Sequence, residues 1–146
     1  MVMPSQIDAA SLLIVDSLSE GHIEQLHALY QDEWWTKGRS LDATARCVRG
    51  SQICVGLETA EGRLVGFARV LTDFTFKALI FDVIVAEGWR GCGLGDRLMQ
   101  RVMEHPQLRR VGHFELYCLP EMSSFYGRHG FSEDVGAIRL MRLAKS

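Results

Sequence analysis

The sequence predicts an α/β fold of the α+β kind, a sheet with about four helices packed against it, in one domain spanning residues 1–146. Three observations lead there. Val83 to Gln100, VIVAEGWRGCGLGDRLMQ, passes from an apolar β-branched run through a glycine-dense loop into a helix with its apolar residues on one stripe. Ile53 to Leu57, Leu64 to Leu71 and Lys77 to Ala86 are strand-like runs joined by short loops, the pattern of an antiparallel meander. The 146 residues, 47% hydrophobic and 23% charged, are enough for one real core, and no repeat, low-complexity tract or Pro/Ser-rich linker divides them.

In chain order, Leu12 to Val15 reads as a first short strand. Ser17 with Glu20 has the spacing of a capping box, opening a helix that turns Ile23, Leu26, Leu29 and Tyr30 inward. Ser40 can cap a second helix running through Arg49. The meander follows, its first turn ETAEG supplying Gly62 for a positive φ. Leu94, Leu98, Met99, Val102 and Met103 form the apolar stripe of the third helix, and His113 to Leu119 is a fifth strand stopped by Pro120. Glu121 to His129 is a short helix ended by Gly130, and Ile138 to Leu143 is a last strand.

The loop before the third helix carries the clearest chemistry. A helix start leaves backbone N–H groups unpaired and adds roughly half a positive charge, so anionic oxygen is favoured there. Gly91, Gly93 and Gly95 permit a tight turn and let a ligand approach the amides closely, so a phosphate or pyrophosphate is expected on the loop. It is not a Walker loop, lacking the lysine and hydroxyl. Nor is it a dinucleotide fingerprint, because Leu94 and Asp96 stand where glycine is required. What is present is R-x-x-G-x-G at Arg90, Gly93 and Gly95, preceded by FDVIVAEGW and followed by an amphipathic helix. This resembles the coenzyme A pyrophosphate loop of the GNAT superfamily, the GCN5-related N-acetyltransferases. SFYGRHGF, Ser124 to Phe131, looks like the F-Y-x-x-x-G-F element of the same family.

The resemblance covers nearly the whole chain. It implies a mixed, mostly antiparallel six- to seven-stranded sheet whose fourth and fifth strands splay around a pantetheine arm. It also implies acetyl-CoA as co-substrate and no metal. The backbone of Val83, Ile84 and Val85 would bind the arm, and Arg90, Gly91, Cys92, Gly93, Leu94, Gly95 and Asp96 the pyrophosphate. Tyr126 would lie near the coenzyme A sulfur and protonate the departing thiolate; the alternative is a core tyrosine with a satisfied hydroxyl. One departure is CLPEMSS, Cys118 to Ser124, which lacks the asparagine many members use on the pantetheine.

A general base is less evident. Asp82 interrupts an otherwise apolar strand, and a carboxylate there is costly unless paired or functional. Alternation puts it on the face of Ile84 and opposite Phe81, Val83 and Val85, either towards a cleft as base or acceptor-binding group, or in a structural ion pair. Glu33 and Asp73 are the other candidates. For the amine acceptor, EWWTKGR stands out: Trp34 and Trp35 cannot both face one core, and an outward tryptophan can stack on an aromatic or cationic amine. Arg39 can clamp a carboxylate or pair with Asp32 or Asp42.

Composition narrows the rest. A formal charge of -2 gives no general footprint for nucleic acid or anionic membrane. No signal peptide or transmembrane helix is indicated, and Cys47, Cys54, Cys92 and Cys118 are too scattered for zinc or a disulfide framework. A cytoplasmic protein with reduced thiols is expected. Five scattered histidines show no metal spacing. The expectation is an acetyl-CoA-dependent N-acetyltransferase that moves the acetyl group directly to a primary amine of a small molecule or peptide in a ternary complex. A non-catalytic acyl-CoA sensor or interaction module is the rival. Exposed tryptophans or the last strand can support a homodimer.

Overall fold

The computed structural model describes residues 9–145. Strand β1 (Leu13–Val15) leads to helices α1 (Glu20–Gln31) and α2 (Leu41–Arg49), then to strands β2 (Ile53–Glu58), β3 (Leu64–Thr72) and β4 (Lys77–Val85). Helix α3 (Leu94–Met103), strand β5 (His113–Leu116) and helix α4 (Ser123–Gly127) complete the regular elements. The sheet runs β1-β2-β3-β4-β5, antiparallel except for the parallel pair β4/β5. A parallel pair needs a crossover, and α3 provides it.

Both sheet faces are covered. On one, Leu94, Leu98, Met99 and Val102 of α3 pack on Val55, Leu57, Val65, Val70 and Ile80. On the other, Ile23, Leu26 and Tyr30 of α1 and Val48 of α2 close over Leu64, Phe67 and Ile84. The α1 cap differs from the sequence expectation. Ser19, not Ser17, accepts from the His22 amide at 3.2 Å, and His22 Nδ1 accepts from the Ser19 amide at 3.1 Å. An imidazole thus fills the capping-box place usually held by Glu. Its Nε2 also meets Glu58 at 2.7 Å, tying α1 to the end of β2.

Strand β4 contains a bulge. Arg69 pairs with Phe81 and Phe67 with Ile84, so β4 spends one more residue than β3 over this stretch, and Asp82 takes φ +55°. Simple alternation therefore fails. One guanidinium, that of Arg69, touches both the Phe81 ring and the Asp82 carboxylate, so these two residues do not lie on opposite faces.

The sheet has five strands among the described residues, against the six to seven expected. Strand β5 stops at Leu116 rather than Leu119, and the helix expected from Glu121 begins as a 3₁₀ turn, Pro120–Met122. Ile138 to Leu143 forms no strand. A strand exists through its ladder, and among the described residues this stretch joins none. No helix among the described residues is long and apolar enough to cross a membrane.

Candidate active site

Strands β4 and β5 are paired only from Lys77–His113 to Ile80–Leu116, after which β4 runs on from Phe81 to Val85 paired with β3 on one edge and with no described strand on the other. The fork begins where the bulge bends β4 and Pro120 ends the extended run after β5. Phe81 and Tyr117 stand edge-on across it, ring centroids 5.7 Å apart. The backbone of Val83, Ile84 and Val85 therefore borders an open gap.

At one end of the gap lies the glycine loop. Gly91 and Gly93 have φ of +79° and +80°, which a side chain would strain, and a Cβ at either would meet nothing within 4 Å. Helix α3 starts at Gly93 with no side-chain cap, so its first-turn N–H groups keep no side-chain acceptor. Gly95 instead makes room for α4: a Cβ there would lie 3.1 Å from the Phe125 ring. The Asp96 carboxylate accepts from His129 Nε2 at 2.7 Å and from Arg128 at 2.9 Å. The hydrogen bond with His129 and the nearby Arg128 hold it below its ordinary pKa. It braces α3 against the α4 turn, leaving only its amide for a ligand. Arg90 donates to the Val85 carbonyl at 3.1 Å and to Glu33 at 2.5 Å. Cys92 packs against the core around α3.

Across the gap stands Tyr126. Its ring lies edge-on to Phe125 and Phe131, and Gly130 at φ +91° closes the single turn that carries it. Among the described residues its hydroxyl has no hydrogen-bond partner. Burial and the neighbouring Cys118 push its pKa up to about 12.

The α1 side holds a buried polar cluster. Asp82 Oδ2 accepts from Arg69 Nε at 2.7 Å, Arg39 Nη1 at 2.8 Å and the Tyr30 hydroxyl at 2.8 Å. The guanidinium of Arg39 lies over the Tyr30 ring at 4.6 Å. Burial pushes the Asp82 carboxyl up, but the bonds from Arg39 and Arg69 outweigh it, and the carboxyl sits below its ordinary range. The geometry thus places Asp82 in an ion pair with Arg39 and Arg69. Arg39 correspondingly pairs with Asp82 and not with Asp32 or Asp42.

Two members of this cluster, Tyr30 and Arg69, were not legible as site residues. Tyr30 reads as an inward helix residue, and the available signal for Arg69 was a lone cation in an apolar strand, one hairpin from a lone carboxylate. Trp34 and Trp35 are both outward, 72% and 40% exposed, on a loop pinned by Thr36 Oγ1 donating to the Tyr30 carbonyl at 2.8 Å. Glu33 in that loop is held by Arg90. Asp73 lies elsewhere, in the β3–β4 turn at the far end of β4, where it accepts from the Thr75, Phe76 and Lys77 amides at 2.8–3.2 Å.

The family model of the GNAT acetyltransferase domain matches residues 49–133, which include the fork, the glycine loop and Tyr126. The chain belongs to the GNAT acetyltransferase family. It is a GNAT-type acyltransferase with a mixed, mostly antiparallel sheet, as the motifs implied. Histone acetyltransferase TAP1 of Glycine max is 30% identical over 139 residues, covering 88% of this chain and 60% of that protein. An uncharacterized N-acetyltransferase of Pyropia yezoensis, ycf52, is 28% identical over 82% of this chain and 70% of its own length. The chain thus spans only part of these relatives. A crystal structure of a GNAT-family protein from Xanthomonas campestris pv. campestris superposes with a TM-score of 0.78 at 31% identity, covering 99% of this chain and 96% of the other. No group of three or more His, Cys, Asp or Glu among the described residues is placed to hold a metal ion.

Proposed function

We propose that this GNAT chain is an acetyl-CoA-dependent N-acetyltransferase that moves the acetyl group directly to a primary amine of a small molecule or peptide. The observation that carries the reading is the unpartnered Tyr126 hydroxyl, in a chain whose β4 edge and helix start are also left open. A pyrophosphate fits the loop: Gly91 and Gly93 leave open space beside the backbone, and the uncapped α3 start supplies donors with a favourable dipole. The β4 edge from Val83 to Val85, which lacks a strand partner, suits the amide groups of a pantetheine arm.

Acetyl-CoA supplies an activated carbonyl. The amine attacks as its free base, the C–N bond forms, the C–S bond breaks, and the proton that the nitrogen loses passes to solvent, which restores the one that Tyr126 gives up. Tyr126 donates its proton towards the departing sulfur; a hydroxyl with a pKa pushed up to about 12 is protonated throughout the neutral range. Asp82 remains ionised and fixes Arg39 and Arg69 beside the gap. The cluster of two guanidiniums and one carboxylate carries a net positive charge, and with the outward Trp34 and Trp35 it suits an amine that also bears a flat or anionic group.

The test is a calorimetric titration with acetyl-CoA followed by thiol-release assays over aromatic amines, polyamines, amino acids and peptides. Binding with release from one amine class is expected. Binding without release from any amine would favour an acyl-CoA sensor, and absence of binding would remove the reading of the loop.

A further inference from the structure

We infer that the cleft at the C-terminal end of α3 binds a free α-amino acid, at a site separate from the gap beside β4. Three parts of the chain meet there. Asp16 follows β1, Gln52 and Ile53 lie at the start of β2, and Arg101, His105 and Pro106 come from the end of α3 and the turn after it. They line a cavity of about 360 Å³, within the size range of small-molecule sites. Helix α3 separates it from the glycine loop by its own length, roughly 15 Å for ten residues.

The cavity has an excess of donors. Arg101 donates from Nη2 to Asp16 Oδ2 at 2.8 Å, while its Nε is buried and has no hydrogen-bond partner among the described residues. A buried donor left unmatched is costly, and an arriving acceptor recovers the cost. His105 is buried, and its Nδ1 accepts from the Gln107 amide at 3.2 Å. Burial and the neighbouring Arg101 hold its pKa below the ordinary value of 6.5, so at neutral pH the ring is uncharged and its single proton sits on Nε2. That N–H has no acceptor among the described residues. Gln52 accepts from the Thr72 amide at Oε1, 2.8 Å away, which leaves its side-chain NH2 without an acceptor as well. Guanidinium, imidazole and amide together call for a carboxylate, whose two oxygens accept several bonds and match the Nε/Nη2 edge of an arginine.

Asp16 decides between a simple anion and a zwitterion. Its carboxylate shares the cavity with Arg101, so the charges there balance, and a bare anion on the guanidinium would leave Asp16 unpaired beside it. An α-amino acid resolves this conflict. Its carboxylate takes Arg101, and its ammonium, attached one carbon away, takes Asp16, so two ion pairs replace one. The existing pair yields readily, because the Asp16 side chain is half exposed. Ile53 and Pro106 give the amino-acid side chain an apolar wall. Binding at this cleft needs no acetyl-CoA.

The test is a titration of the isotope-labelled full chain with the common L-amino acids one at a time, read at the backbone amides with and without acetyl-CoA. At least one amino acid should shift the amides of residues 15–17, 52–53 and 101–107 with a Kd of about 1 mM or tighter, unchanged by acetyl-CoA. Its N-acetyl derivative, which lacks the ammonium, and its amide, which lacks the carboxylate, should each bind at least about 10-fold more weakly. Arg101→Gln should weaken the amino acid by a similar factor while acetyl-CoA affinity holds. Asp16→Asn should weaken the amino acid but tighten acetate, because the competing carboxylate is gone. No shift at these amides up to about 10 mM would overturn the proposal. So would shifts confined to Val83 to Val85, Trp34 and Trp35, which would make the amino acid an acetyl acceptor only, or binding lost when acetyl-CoA is present. Equal affinity for the N-acetyl derivative would overturn it too, since the ammonium would then go unread. The titrations of the unaltered chain suffice for the decision, so a variant that fails to fold leaves it intact.

Discussion

The two walls of the gap beside β4 are built in opposite ways. Towards α1 the polar groups answer one another: Asp82 takes three donors at 2.7–2.8 Å, and both guanidiniums lie over aromatic rings. Towards α3 the polar groups wait. The helix start has no cap, Gly91 and Gly93 border open space, and the Tyr126 hydroxyl has no partner. A buried polar network that is fully bonded fixes a shape. Donors left open at a surface are available to something absent from the chain. The first wall is a frame and the second a receptor, and substitutions on the two should separate stability from binding and turnover.

The largest effect is expected on the frame. Asp82→Asn removes the one anion that balances Arg39 and Arg69, and breaking a buried pair of this kind costs about 3–5 kcal/mol. That is a large part of the about 5–15 kcal/mol that holds a typical domain together. Denaturant titration would measure it. A loss under about 1 kcal/mol would mean that the cluster is not the frame. The pH dependence has a defined sign. The folded carboxyl lies below its ordinary value of 3.8, so its stabilisation is complete above that value and disappears as pH falls through the folded pKa. The melting temperature of the wild-type chain should fall in acid more steeply than that of Asp82→Asn.

This contrast also explains how far the sequence could be read. The receptor wall is local: Arg90 to Asp96 and Ser124 to Phe131 are contiguous, and glycine spacing with a helix start states the chemistry without any partner. The frame is non-local, assembled from Tyr30 on α1, Arg39 after it, Arg69 on β3 and Asp82 on β4. Separations of 13 to 52 residues meet only once the sheet register is fixed. That register contains the bulge, which period-two alternation does not reveal and which moved Phe81 from its expected face. The strand expected at Ile138 to Leu143 is a third case. Its pattern is strand-like in the sequence, but a strand exists only through a ladder, and among the described residues this stretch joins none.

On the receptor wall, Tyr126→Phe deletes a hydroxyl that bonds to none of the described residues, so stability should move by less than about 1 kcal/mol. Turnover should fall by about 100-fold or more, the usual contribution of a positioned acid, with acetyl-CoA affinity unchanged. Steady-state kinetics alongside calorimetry separates the two. Equal loss of affinity and turnover would make the ring, not the proton, the contribution of Tyr126.

A smaller effect distinguishes two glycines of one loop. Gly93→Ala places a Cβ in open space but at φ +80°, costing about 1–2 kcal/mol of backbone strain and obstructing the ligand's approach. Coenzyme A affinity should therefore fall more than stability does. In Gly95→Ala the Cβ would instead press on Phe125 at 3.1–3.2 Å, so α4 must shift, and turnover should suffer through Tyr126. Similar profiles for the two variants would mean that the loop responds as one unit.

The smallest expected change joins the two walls. Arg90 holds Glu33 at 2.5 Å and the Val85 carbonyl at 3.1 Å, so the loop's one cation is already engaged where a pyrophosphate would call on it. Its guanidinium is about half exposed, and such pairs contribute about 0–1 kcal/mol to stability. Glu33→Gln should accordingly leave the melting temperature nearly unchanged. It removes the charge competing for Arg90, and coenzyme A should then bind a few-fold more tightly, most clearly at low salt, where such a charge is least screened. Unchanged affinity across salt concentrations would mean that the Glu33–Arg90 pair persists in the complex, and would place Arg90 with the frame rather than with the receptor.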